Sequence, residues 1–226
     1  MPEIGFQPDI IHCHDWQTGL IPVYLHDSFQ SDPFFWGIKT IFTIHNLKFQ
    51  GTWSVDTIKG FSGLSDYYFT SDKLEAYGNG NMLKGGLVYA DRITTVSRSY
   101  ASEIRMPFYG EGLDGLLRAR SKQLSGIVNG IDYNVYNPKT DKDIAVNYSV
   151  EDVIKAKAAN KTALQKELGL EENPDAFMLG IVSRLTDQKG LDLVECVLDQ
   201  ICAEDVQLVV LGTCLLYTSP SPRDTR

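Results

Sequence analysis

Six short runs rich in Ile and Val constrain this chain more than anything else in it. They lie at Asp9–Cys13, Thr40–Ile44, Ile93–Val96, Ser125–Val128, Phe177–Val182 and Val206–Leu211. The runs are nearly continuous in apolar character rather than alternating. Strands covered by helices on both faces read this way, as in parallel sheets. Between them lie stretches of helical character near residues 17–27, 80–91, 97–105, 112–121, 151–168 and 188–202. The strand-then-helix rhythm predicts an α/β fold on open parallel sheets. With 226 residues, 43% of them hydrophobic, the chain has material for one large domain or two small ones.

One break interrupts the rhythm. Residues 134–149 are polar, contain Pro138 and show no periodicity. Ser149 and Asp152 then form a capping-box-like start to a helix. That helix is expected to end at Leu168-Gly169, with Pro174 beyond. Residues 1–133 are therefore read as one α/β region, 134–175 as a linker or crossover, and 176–213 as the opening β-α-β of a second region. The stretch 214–226 carries two Pro and two Ser in four residues and cannot continue the pattern. It reads as the translation of a sequencing adapter and is set aside as a non-native tail.

Charge and composition exclude several classes. The net charge is −8 and no run of Lys or Arg exceeds two residues, which argues against nucleic acid as a partner. No apolar run is long enough for a membrane span, and the N-terminus lacks the pattern of a signal peptide. The cysteines, at 13, 196, 202 and 214, form no C-x-x-C pair and no zinc spacing. They read as thiols in a reducing compartment, and a cytoplasmic location is expected.

The turn Ser183–Asp192 carries the first chemistry. It joins the run Phe177–Val182 to a helical pattern with Leu191, Val194, Leu198 and Ile201 on one face. Within it Arg184 and Lys189 stand five residues apart. Thr186 or Asp187 is expected to cap the helix. Two cations beside a helix N-terminus suit a diphosphate.

Other candidates sit at strand exits, where parallel sheets bind ligands. After the first strand come His12, His14, Asp15 and Trp16. His12 and His14 are expected on opposite sides of the extended segment, so no metal is assigned. Asp15 suits a sugar hydroxyl and Trp16 the face of a sugar ring; Asp15 as a helix cap is the competing reading. After the second strand, His45 and Asn46 precede Gly51, and a ligand-facing imidazole fits. Lys84, followed by Gly85-Gly86, interrupts an apolar helix. Either another group approaches closely there or the lysine snorkels. Asn129-Gly130 follows a further strand. No G-x-G-x-x-G and no G-x-x-x-x-G-K-[ST] occurs, which disfavours a classical dehydrogenase or a P-loop enzyme.

Taken together these segments resemble bacterial glycogen synthases and plant starch synthases. The resemblance is carried by PDIIHCHDWQTGL (8–20), TIFTIHNLKFQG (40–51), NMLKGGLVYADRITTVS (81–97), YGEGLDGLL (109–117), LSGIVNGID (124–132), NKTALQKELGL (160–170) and IVSRLTDQKGLDLV (181–194). It covers residues 8–213, and the HDW, HN, NG and SRL-x-x-QKG set is specific in combination.

The resemblance implies a GT-B fold: two Rossmann-like domains with parallel sheets, both incomplete in this chain, facing each other across a cleft. It implies a glycosyltransferase that moves glucose from ADP-glucose to the non-reducing end of an α-1,4-glucan with retention, using neither a metal nor another cofactor. Arg184 and Lys189 would grip the diphosphate. His45 would contact the transferred glucose, and Asn129 would support the same pocket. Asp15, Trp16 and Asn46 would lie along the sugar and acceptor side, while Lys84 is kept as a candidate substrate contact. The family's lysine-and-glycine loop and its acidic sugar-binding motif are not found, so the chain is expected to be an internal fragment without synthase activity of its own. Two alternatives stand beside this reading: a GT-B transferase using another nucleotide sugar, and a non-catalytic glucan-binding module.

Overall fold

The computed structural model describes residues 2–212. The expected tail 214–226, with Cys214 in it, lies outside the described residues, as does Thr213. The chain divides after Gly130 into two compact units.

The first unit contains β1 (Ile10–His14), α1 (Ile21–His26), β2 (Lys39–Ile44), β3 (Thr52–Trp53), α2 (Val55–Ser62), β4 (Glu75–Ala76), β5 (Asn79–Asn81), α3 (Met82–Tyr89), β6 (Arg92–Thr95), α4 (Arg98–Glu103), α5 (Asp114–Ala119) and β7 (Leu124–Gly126). Strands β1, β2, β6 and β7 form a sheet in that order, parallel throughout. All four C-terminal ends therefore meet at one edge. Each observed main strand lies within a residue or two of its expected run.

The core explains the order. Phe42 and Ile44 of β2 and Ile93 of β6 are fully buried, packed with Leu83 and Leu87 of α3, Ile104, Leu113 and Leu117. Helix α3 starts where Asn81 Oδ1 accepts the Lys84 N–H at 2.8 Å, a side-chain N-cap. Its paired glycines let it approach the sheet. A Cβ on Gly86 would lie 2.3 Å from the Phe42 ring, and one on Gly85 would lie 3.1 Å from Val23. The group that approaches Gly85-Gly86 is thus the protein's own core. Gly19 is as constrained, since its Cβ would stand 2.0 Å from the Met82 carbonyl oxygen.

Continuous burial on both faces holds for only some strands. Strand β2 is buried from Phe42 to Ile44, whereas Ile10 of β1 is 53% exposed.

Helix α2 and the small antiparallel sheet β3-β5-β4 are not among the expected elements. The three strands span two or three residues each, too short for a period to show. Helix α2 buries only Ile58. Its ends are nonetheless written in the sequence: Ser54 accepts from the Thr57 N–H, and Gly63 closes the helix at φ 71°.

The second unit holds α6 (Val153–Leu168), β8 (Phe177–Val182), α7 (Leu191–Cys196), α8 (Leu198–Ala203) and β9 (Val206–Leu211). Strands β8 and β9 pair in parallel from Phe177↔Val206 to Val182↔Leu211. Neither is buried on both faces; Val182 is 81% exposed. Fully buried Gln165 of α6 donates from Nε2 to Gln207 Oε1 at 2.7 Å and to the Asn173 carbonyl at 2.8 Å. Gly169, at φ 69°, ends α6 as expected.

The expected box at the start of α6 is half formed: Asp152 Oδ1 accepts from the Ser149 N–H at 2.7 Å and hydroxyl at 3.1 Å, and the regular helix begins at Val153. The next helix start differs from expectation. The single helix expected over 188–202 is a 3-10 turn at Asp187–Lys189 followed by α7 and α8, broken at Val197.

The glycines yield a paired test. Gly86→Ala forces a methyl into a fully buried ring and is expected to destabilise the chain by about 1–3 kcal/mol. Gly60→Ala, in exposed α2 with nothing within 4 Å of the new Cβ, is expected to stabilise it by about 0.5–1 kcal/mol. Urea midpoints measured on both variants read the opposite signs.

Candidate functional site

The C-terminal ends of β1 and β2 carry a dense polar cluster. The chain leaves β1 through Asp15, which holds φ 52° and ψ −172°, a region that costs a non-glycine residue of order 1–3 kcal/mol. Two contacts hold it there. The Asp15 N–H extends the ladder to the Thr43 carbonyl at 3.0 Å. The carboxylate Oδ1 accepts from the His45 N–H at 2.8 Å and the Asn46 N–H at 3.5 Å. It makes no capping bond to the turn Trp16–Thr18, so the helix-cap reading of Asp15 is not what the structure shows. Asp15 instead ties the exit of β1 to the exit of β2.

His45 is exposed and Asn46 half-buried. Asn46 Oδ1 accepts from the Lys48 N–H at 3.0 Å, closing a turn on itself. That turn leads to Gly51, at φ 60°, where a Cβ would lie 2.6 Å from the Trp16 ring. Trp16 meets Trp53 edge-on with centroids 5.3 Å apart. Trp16, Trp53, Phe49, Lys48 and Gly51 line an open cleft of about 390 Å³. Polar exits beside an aromatic wall can hold the hydroxyls and the apolar face of a sugar.

His12 and His14 do not point to opposite sides. Residues two apart on a strand share a face, and their ring centroids are 4.1 Å apart. His14 Nδ1 lies 3.0 Å from His45 Nε2. His12 Nε2 lies 2.6 Å from Thr43 Oγ1, itself 2.6 Å from Thr94 Oγ1. Partial burial, and then the neighbouring His14 and His45, lower the His12 pKa below its ordinary value. Among the described residues no group of three or more His, Cys, Asp or Glu is placed to share a metal ion. Cys13 faces the core, where burial raises its thiol to about 11.

The remaining candidates separate. Lys84 is buried and donates to the carbonyls of Ser71 and Glu75. Burial lowers its pKa, against the pull of Glu75 and Asp72. It is neither snorkelling nor aimed into the Trp16 cleft; it anchors the segment before β5. Asn129 is exposed just beyond β7, at the same sheet edge. Three supports are absent from the sequence-based candidates: Thr18, whose hydroxyl accepts the His14 N–H at 2.6 Å; Gln50, which donates to the Glu111 carbonyl at 2.9 Å; and Tyr100, whose hydroxyl accepts the Leu47 N–H at 3.1 Å. No local spacing marks contacts of such sequence separation, except Thr18, four residues from His14.

In the second unit Arg184 and Lys189 are both exposed on the connection from β8 to α7. The backbone there is closed by Thr186 N–H to the Arg184 carbonyl at 3.0 Å and Lys189 N–H to the Thr186 carbonyl at 2.9 Å. Thr186 does not cap α7. Its Oγ1 is buried without a partner among the described residues, and Gly190, at φ 67°, stands at the N-cap. Glycine takes that left-handed turn at no steric cost. A Cβ on Gly212 would lie 2.1 Å from the Ser183 carbonyl oxygen, so the exit of β9 closes tightly against this connection.

Comparison with known proteins gives a consistent picture. Residues 1–119 match the family described as the starch synthase catalytic domain. A glycogen synthase of Lachnospira eligens is 67% identical over 213 residues, 94% of this chain and 45% of the relative. One from Lachnoclostridium phytofermentans is 63% identical over the same shares. Among solved structures, the catalytic domain of starch synthase IV from Arabidopsis thaliana, bound to ADP and acarbose, matches with a TM-score of 0.83 and 33% identity over 99% of this chain and 45% of that one. The chain thus spans slightly less than half the length of these relatives.

Two outcomes test the cluster. Asp15→Ala keeps the strained turn and leaves two N–H groups to water, and is expected to cost about 0.5–1.5 kcal/mol; Asp15→Asn retains an acceptor and should cost less. Chemical denaturation separates them. His12 supplies a pH dependence. Its folded pKa lies below the ordinary 6.5, so on acidification the unfolded chain takes the proton first. Stability is expected to fall as pH drops through 6.5 and to level off below the folded value. His12→Asn should flatten that decline in denaturation curves taken across the range.

Proposed function

The chain belongs to the starch synthase catalytic-domain family, and on that premise we propose that it is part of a glucosyltransferase that builds α-1,4-glucan from ADP-glucose. The observation that carries the reading is the exit of β1 and β2: His45 and Asn46 held by Asp15, beside an aromatic cleft, in a chain two-thirds identical to a glycogen synthase. The Arabidopsis relative is bound to ADP and acarbose. Those ligands are of the two chemical kinds this reading needs, a nucleoside diphosphate and a glucan-like oligosaccharide.

The proposed architecture is GT-B. Residues 1–133 supply the acceptor-side Rossmann-like part, 134–175 the crossover and 176–213 the start of the nucleotide-sugar part. In the reaction the bond between the glucose anomeric carbon and the diphosphate oxygen breaks, and its electron pair leaves with ADP. The acceptor hydroxyl forms the new bond on the same face and passes its proton to the departing diphosphate. Arg184 and Lys189 stabilise the charge that grows on the departing diphosphate, as electrostatic catalysis requires. His45 hydrogen-bonds the transferred glucose, Asn129 supports that pocket, and Asp15, Trp16 and Asn46 shape the sugar side. Asp15 acts through backbone, since its bonded carboxylate oxygen is committed to two N–H groups. Lys84 is left out of the sugar-side contacts, because it does not line the Trp16 cleft and its ammonium donates to two backbone carbonyls. No metal or cofactor enters the scheme, and the cell interior is the proposed location; among the described residues no helix is long and apolar enough to cross a membrane.

Calorimetric titration of the 226-residue chain with ADP and, separately, with maltoheptaose tests the assignment. Arg184→Ala with Lys189→Ala is expected to weaken ADP at least about tenfold, since each charged hydrogen bond is worth roughly 1.5–3 kcal/mol. In a catalytically competent protein carrying this sequence, either single change should lower turnover about 10²–10³-fold with the fold intact. Near-normal turnover would sink the assigned role.

A further inference from the structure

His14 has no part in the proposed transfer, yet it touches the ring that does. Its side chain shares a face with His12, and its Nδ1 lies 3.0 Å from His45 Nε2. Thr18 pins it from behind: the hydroxyl accepts the His14 N–H at 2.6 Å and lies 2.8 Å from the His14 carbonyl. His45 is pinned through its own N–H by Asp15. Both rings thus stand on fixed backbone, and His12 supports the stack through the Thr43–Thr94 hydroxyl pair.

Two neutral imidazole nitrogens at hydrogen-bond distance share one proton, so one ring donates and the other accepts. The Nε2–H form is the commoner neutral tautomer of histidine. With both rings in that form the contact closes: His45 Nε2–H donates and His14 Nδ1 accepts. The other nitrogen of His45, Nδ1, is then bare, and no described residue hydrogen-bonds it.

We propose that His14 is a positioning residue, which fixes the tautomer and rotamer of His45 so that His45 offers Nδ1 as an acceptor to a sugar hydroxyl. The inference rests on the reading of His45 as sugar-facing, and the experiment separates the two. A site built around an acceptor rejects a ligand that brings no hydroxyl there, because the acceptor is then left unpaired. His14 would in this way contribute to selectivity without touching the ligand.

Long-range ¹H–¹⁵N spectra of the 226-residue chain, recorded about two pH units above the ordinary histidine pKa, read the tautomers directly. The expected result is a His45 ring protonated at Nε2 and bare at Nδ1. His14→Ala should return His45 to an averaged tautomer. His14→Asn, whose amide oxygen replaces the lost acceptor, should restore the fixed form. Titration with maltotriose and with ADP-glucose should shift the Nδ1 resonance of the unsubstituted chain. His14→Ala should weaken the ligand that shifts it by about threefold to tenfold, the worth of one neutral hydrogen bond, with His14→Asn near the parent. A protonated Nδ1 on His45, averaging in the unsubstituted chain, or equal tautomers and affinities with and without His14 would each overturn the positioning role. A fixed tautomer whose Nδ1 responds to neither ligand would leave the contact standing and overturn the sugar-facing reading of His45.

Discussion

The tight seating of helix α3 against the sheet is what the rest of the first unit depends on. It exists because Gly86 presents no Cβ to Phe42 and because Gly19 presents none to the Met82 carbonyl. Once seated, the helix organises its surroundings. The N–H groups of Met82 and Leu83 bind the carbonyls of Gly51 and Gln50, and Asn81 binds the Gln50 side chain. Those bonds hold the loop on which Trp16 rests. Lys84 reaches the other way and fastens the carbonyls of Ser71 and Glu75. A missing methyl group in the core therefore sets the position of an aromatic wall at the surface.

Asp15 shows the complementary logic, in which a local cost is held in place by surrounding order. Its backbone is strained, and only a rigid pair of strands can keep it so. The strain brings the carboxylate under the backbone N–H groups of His45 and Asn46. The imidazole of His45 is thereby left clear of Asp15 and placed beside His14. Strands, strained turn and histidine pair form one chain of causes running from core to surface.

Much of this is legible in the sequence. Strands β8 and β9 end where their apolar runs end, and α6 ends at Gly169, because each boundary is marked by the residues on the spot. His45 and Asn46 stand at a strand exit as expected. What the sequence hides depends on partners far along the chain. Gly85-Gly86 suggests an approaching group, but nothing local names Phe42. Lys84 finds its acceptors 13 and 9 residues away. The pairing of His12 with His14 is legible, against the expectation of opposite sides: strand periodicity alone puts both on one face. Thr186 resembles a cap, yet the helix starts four residues later at Gly190, after a 3-10 turn over Asp187–Lys189.

The edge-on contact between Trp16 and Trp53 has an optical consequence. Of the three tryptophans in the chain, two line the cleft at the exit of β1 and β2, while Trp36 bonds the Gln30 carbonyl in a different part of the unit. Two of the three indoles therefore stand at the walls of one small space. Any molecule that enters it displaces water from the ring faces and alters how the two indoles exchange excitation. The fold has placed a native fluorophore pair where occupancy of the cleft can be followed by light, with no label attached.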